Sequence, residues 1–250
     1  MPTLHATRLI ECWERGLTGS LPTRALLLLA CARPHETRAA LHATSVGEAD
    51  ACLLALHERL FGRAMRGYGD CRECGERFAL TVDAQAIRVS HDRRSATHVL
   101  AEGAYTVSYR SLTYADLAKL TPDMDVAEAE RVLLSCCVVE ACGAGAPCEA
   151  DALPDFVRET LSAQLEQHDA QAEVVLGVTC AGCGEEQPLL FDVVTHLWTQ
   201  LERWARALLC EVHVLASAYG WSERSILRMS AGRRAAYLAQ ITSSDVGAWA

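Results

Sequence analysis

Apolar residues in the first third of the chain recur at helical spacing. Residues 9–17 and 21–32 are apolar-rich segments parted by Gly19-Ser20, and Pro22 suits the first turn of the second. Ser45-Val46-Gly47-Glu48 is a capping box that opens a helix carrying Leu53, Leu56, Leu60 and Phe61. Gly62, Gly67 and Gly69 close this region. Beyond them the period changes: Phe78, Leu80 and Val82 alternate with polar or small residues, as a half-buried strand requires.

Residues 97–112, with Glu102-Gly103 near the centre, predict a hairpin with Val99 on one arm and Tyr105, Val107 and Tyr109 on the other. Asp125-Val126-Ala127-Glu128 predicts a second capped helix, with Val132, Leu133, Cys136, Cys137 and Val139 inward, interrupted at residues 143–147. Pro154 starts a further helix on Val157, Leu161 and Leu165. Val174, Leu176 and Val178 form a strand, and Leu189 and Phe191 a returning one. Asp192 caps a long helix whose stripe is Val193, Leu197, Leu201, Trp204, Leu208, Val212, Leu215 and Tyr219, broadened by Trp198, Ala205 and Leu209. Gly220 ends it. Ser222 and Ser230 open two shorter helices carrying Ile226-Leu227 and Ala235, Tyr237, Leu238 and Ile241.

These elements predict an α+β fold, predominantly helical. Its expected sections are an amino-terminal helical region (1–69), a ribbon core (70–83 with 172–192), inserted hairpin and helices (84–171), and a carboxy-terminal long helix and helical hairpin (193–250), forming one compact unit. The 250-residue chain is 50% hydrophobic and 22% charged, a globular profile. Its net charge of −9 disfavours an anionic partner such as a nucleic-acid backbone. The run Ala25-Leu26-Leu27-Leu28-Leu29-Ala30-Cys31-Ala32 resembles a leader core, but it is short and preceded by Glu11, Trp13 and Glu14 instead of a basic stretch, so it predicts a buried helix. No run approaches the ~20 apolar residues of a membrane span.

Chemistry concentrates in two copies of C-x-x-C-G-E: Cys71-Arg72-Glu73-Cys74-Gly75-Glu76 and Cys180-Ala181-Gly182-Cys183-Gly184-Glu185. Each leads through an apolar stretch to an Asp, Asp83 and Asp192, nine residues after the second cysteine. A C-x-x-C turn followed by glycine aims two thiolates at one point, and two such turns supply a tetrahedral site. Cys71, Cys74, Cys180 and Cys183 are therefore the predicted ligands of one structural zinc ion. Cys74 and Cys180 are 106 residues apart, so the metal would join distant parts of the fold through a small discontinuous zinc-ribbon-like β element. The same four sulfurs suit an iron–sulfur cluster, of which zinc is the commoner alternative. Four thiolates leave no position for water, so no catalytic role is expected; Glu76 and Glu185, the acid–base candidates, read as polar strand starts.

The other eight of the twelve cysteines lie mostly in apolar helical stretches, where a thiol acts as a small hydrophobe, and they predict a reducing cytoplasm. The histidines form no H-x-x-x-H pair. There is no Gly-rich phosphate loop and no nucleophile–base pair, so the chain reads as non-enzymatic. Residues 215–238 mimic a helix-turn-helix with Arg224, Arg228, Arg233 and Arg234, which keeps a nucleic-acid-binding zinc ribbon as the alternative function. Trp198, Trp204 and Trp221 belong to an aromatic-rich region that fills the core or forms a partner interface.

The order Asp70-Cys71-x-x-Cys74-Gly75-Glu76, Thr179-Cys180-x-x-Cys183-Gly184, Phe191-Asp192, Leu197-Trp198, Glu211-Val212-His213, Ala218-Tyr219-Gly220-Trp221-Ser222-Glu223 with Ile226-Leu227, and Arg233-Arg234-x-x-Tyr237-Leu238 resembles the baseplate hub assembly proteins of T-even-type contractile phages, in the zinc-knuckle form found in gene clusters for phage-tail-like injection systems. The resemblance is most specific from Cys180 to Leu238. It implies a cytoplasmic assembly factor or structural component with baseplate, hub, spike or tail proteins as partners, either leaving the finished particle or incorporated into it.

Overall fold

The structure, a computed structural model, describes residues 6–89 and 97–247, with side chains as far as Ile241. It is a mixed α/β fold, 54% helical, with small antiparallel sheets. Where a single unit is expected, the chain groups into two. One comprises residues 19–197, the other the residues up to Thr18 with those from Trp198 onward.

Helix α1 (Ala6–Gly16) belongs to the smaller unit. The larger unit opens with α2 (Leu21–Ala32), which buries Ala25, Leu28, Leu29 and Cys31, so the leader-like run is core. After α3 (Arg38–His42), α4 (Val46–Phe61) starts as its sequence dictates, with Ser45 Oγ accepting from the Glu48 amide at 3.2 Å. Glu48 itself turns to Arg33 at 2.8 Å. A second carboxylate completes the cap, because the Gly47 amide donates to Asp169 at 3.0 Å. A Cβ on Gly47 would lie 2.1 Å from that carboxylate, which explains the glycine.

Two strands follow, β1 (Ala64–Asp70) and β2 (Arg77–Asp83). The predicted hairpin is β3 (His98–Glu102) and β4 (Tyr105–Tyr109), turning at Gly103 with φ +60°. Short α5 (Tyr114–Leu117) carries a full capping box between Thr113 and Asp116. Its Tyr114 hydroxyl donates to the buried Asp50 carboxylate, whose burial pushes its pKa up to about 7.

Helix α6 (Val126–Cys137) is capped by Asp125 as expected, but it stops earlier than the apolar pattern suggests. Val138 opens strand β5 (Val138–Gly143), Val139 is exposed, and the buried positions are Leu134 and Cys137. Two β-branched residues in succession favour the pleated strand over another helical turn. The stub β6 (Ala146–Pro147) completes a four-stranded sheet in the order β3-β4-β5-β6. Helix α7 (Asp155–His168) lays Val157 and Leu161 against Leu100, Val107, Tyr109 and Leu134 to form that sheet's core. Strands β7 (Val175–Thr179) and β8 (Glu186–Leu190) then lead to α8 (Val193–Tyr219), which starts in the larger unit.

Most of α8 belongs to the smaller unit, with α9 (Glu223–Leu227) and α10 (Ala231–Gly247). Gly220, at φ +67°, breaks α8 in the left-handed conformation that glycine tolerates. Val212, Leu215 and Ile226 are buried, with Trp221, Tyr237, Leu238 and Ile241 packed on them. No helix among the described residues is long and apolar enough to cross a membrane.

Candidate metal centre

Each knuckle is the tip of its own two-stranded antiparallel sheet. In one, β1 pairs with β2 from Ala64↔Asp83 to Asp70↔Arg77; in the other, β7 pairs with β8 from Val175↔Leu190 to Thr179↔Glu186. Strand β1 is not legible as an alternating segment, because Gly67 and Gly69 occupy positions where side chains would announce it. Gly69 has a packing reason: an added Cβ would lie 3.1 Å from the Phe78 ring and 3.3 Å from Leu189 of the other hairpin.

The two turns share one hydrogen-bond pattern. The Gly75 amide donates to the Cys71 carbonyl at 3.0 Å and the Cys71 amide to the Glu76 carbonyl at 2.9 Å. Their counterparts, Gly184 to Cys180 and Cys180 to Glu185, measure 2.9 and 2.8 Å. Gly75 and Gly184 sit at φ +70° and +78°, a conformation costly for any residue with a Cβ.

These turns bring Cys71, Cys74, Cys180 and Cys183 together, with all four sulfurs within 4.8 Å of one another. Across the hairpins, Cys71 Sγ lies 3.6 Å from Cys183 Sγ, and Cys74 Sγ 3.7 Å from Cys180 Sγ. A tetrahedron with metal–sulfur bonds of about 2.3 Å has edges of about 3.8 Å, whereas a disulfide needs about 2.05 Å. The set therefore fits a metal ion, and all four cysteines are free of disulfides. Cys71 and Cys180 are buried, while Cys74 and Cys183 are exposed.

Electrostatics favour a cation here. Donation from the Cys183 and Gly182 amides draws Cys180 down to about 7, Gly182 N lying 3.3 Å from the sulfur. Against the pull of the Glu185 amide, the neighbouring sulfurs of Cys74 and Cys71 push Cys183 up to about 12. Cys74 is raised despite the Glu76 amide, by desolvation and by Cys180 and Cys71. Cys180 ionises readily while Cys74 and Cys183 resist, and a positive charge at the centre would favour the thiolates of both.

Two supporting residues escape a reading based on cysteines. Phe78 and Gln187 occupy the same place in the two hairpins, four residues after the second cysteine, and both are buried. Phe78 packs with Cys71 and Cys180. Gln187 accepts from the Arg72 amide at 2.9 Å and donates to the Asp70 carbonyl at 3.2 Å, tying one hairpin to the knuckle of the other. Phe78 is legible as a strand residue from its alternation with Leu80 and Val82, and the signal for Gln187 is a polar residue at the equivalent apolar position of the repeat. Glu76 and Glu185 are exposed, and their main-chain carbonyls close the turns. His196, beside the second knuckle in sequence, packs its ring against Phe191 and His57 and is not among the clustered ligands.

The aromatic cluster of the smaller unit is Tyr-Trp-Tyr, not three tryptophans. Tyr219 and Trp221 stack at 4.5 Å, and Tyr237 meets Trp221 edge-on at 4.8 Å. Trp198 is 3% exposed and lies over Gly16, where a Cβ would meet its ring at 2.1 Å, so it is core; Trp204 is half-buried. Comparison with protein-family models, curated proteins and solved structures finds no match to this chain.

Proposed function

We propose that this chain is a non-enzymatic, zinc-stapled assembly factor or structural component of the baseplate or hub of a contractile tail or tail-like injection system, working in the cytoplasm with hub, spike or tail proteins. The observation that carries the reading is the convergence of Cys71, Cys74, Cys180 and Cys183 from hairpins far apart in sequence. Four thiolates fill a tetrahedral ion's coordination, so the ion acts as a fastener and presents no water to a substrate. The pattern from Cys180 to Leu238 supports the specific assignment, and its residues have structural work. Asp192 caps α8 through the Thr195 amide at 2.9 Å, Gly220 ends that helix, and Arg234 joins Glu211 at 2.7 Å.

The alternative, nucleic-acid binding through the carboxy-terminal arginines, loses one of its four cations. Arg234 is 6% exposed and committed to Glu211 and the Met229 carbonyl. Co-expression with hub, spike, tube and sheath proteins tests the leading reading. The metal-loaded chain is expected to co-purify with hub or spike components. Failure to associate with any of them, together with a salt-dependent shift on DNA or RNA, would transfer the assignment to the alternative.

A further inference from the structure

We propose that the groove between α6 and α7 receives an amphipathic helix of a partner protein, one whose apolar stripe is flanked by arginine or lysine. The groove holds about 960 Å³ and has an apolar floor that includes Leu133, Leu134 and Leu165. Two of its lining residues, Val126 and Val175, are 86% and 53% exposed, large apolar side chains that gain by being covered. The rim has one sign. Glu130, Glu166 and Glu173 line it, all exposed and, among the described residues, without ion-pair partners; no lysine, arginine or histidine lines the groove.

This charge selects the occupant. An acidic rim on a chain of net charge −9 repels anionic membranes and nucleic acid, and it attracts a cationic segment. Most of the lining comes from the two helices, completed by Leu112 and residues between 169 and 175, so recognition suits helical anchors at i, i+3, i+4 and i+7. The inference concerns the larger unit alone and holds whichever assembly the chain serves.

The test uses the full metal-loaded chain and two labelled synthetic peptides of about 15 residues, long enough to form a helix. Both carry a leucine stripe, one flanked by arginine and the other by glutamate. The arginine peptide is expected to bind at least about tenfold more tightly, read by fluorescence anisotropy. In a variant combining Glu130→Lys and Glu166→Lys the preference should reverse, and Leu133→Asp should weaken the arginine peptide about tenfold. Metal content and circular dichroism check that each variant folds; if the charge-reversed one does not, Leu133→Asp decides. Three outcomes overturn the proposal: no binding of the arginine peptide, affinities indifferent to these changes, or self-association that disappears in the variants, which would give the groove to a second copy.

Discussion

The two knuckle hairpins share their turns and sulfur geometry but are held in place by different physics. At equivalent positions the first buries an aromatic ring, Phe78, and the second buries an amide, Gln187. The ring contributes undirected apolar area to the sulfurs of both knuckles. The amide contributes two directed bonds that set the Asp70–Arg72 backbone against β8. Packing alone lets two small sheets slide past each other; the amide supplies the register that four converging sulfurs need. The sulfur cluster can therefore be symmetric while its support is not.

The largest expected effect tests whether the metal dominates both supports. Cys71→Ser should abolish metal binding, measured as one ion per wild-type chain and none in the variant. Structural zinc contributes an apparent free energy of roughly 10 kcal/mol, coupled to folding, so solubility and melting temperature should fall sharply. Cys183→Ser sharpens the comparison, because Cys183 is exposed and Cys71 buried. Equal loss of metal is expected from both. A wild-type melt for Cys183→Ser beside a collapsed Cys71→Ser would mean that burial, not coordination, holds the hairpins.

Next comes Phe78→Ala, expected to cost about 3 kcal/mol in urea-unfolding experiments, since it removes the ring on which both hairpins pack. Gln187→Leu, near in volume, should cost less, about 1–2 kcal/mol, through the unpaired Arg72 amide. Its diagnostic readout is metal affinity. Losing the register should weaken binding more than the modest stability cost suggests, whereas Phe78→Ala should weaken both together. The reverse pattern would exchange the roles assigned to the two residues.

Much of this arrangement was legible because it rests on local chemistry. The caps at Ser45, Asp125, Asp192 and Ser222, the Gly220 stop and the cluster of four cysteines able to hold a metal ion are each set by a residue type at a fixed spacing. What escaped was set by tertiary neighbours. Strand β1 was hidden because its alternation falls on Gly67 and Gly69, and Gly69 is bare owing to a ring and a leucine met only in three dimensions. The α6–β5 junction was hidden because Cys136, Cys137, Val138 and Val139 form a continuous run that either period can claim. Residue type alone leaves Trp198 between core and interface; its place over Gly16 puts it in the core. Division into two units left no composition shift at Thr18 or Trp198 to announce it.

The smallest expected effects concern the aspartates that end the two hairpins, equivalent in sequence but not in what they hold. Asp192 accepts from the Thr195 amide at the start of a 27-residue helix, so Asp192→Ala should cost about 1 kcal/mol, the usual value of a lost cap. Asp83 accepts from the Gln85 amide at 2.8 Å in an exposed turn and pairs with Arg63. These contacts, the amide first, hold its carboxyl below the ordinary value of 3.8. A depressed carboxylate contributes stability that is present above its unfolded pKa and disappears as pH falls through the folded one. The difference between wild type and Asp83→Asn should thus be small at neutral pH and vanish only on acidification below about 3.8. Thermal melts across that range check it. A larger loss for Asp83→Asn than for Asp192→Ala at neutral pH would show that the first hairpin depends on its terminal turn as much as on Phe78, and the division of labour between ring and amide would have to be redrawn.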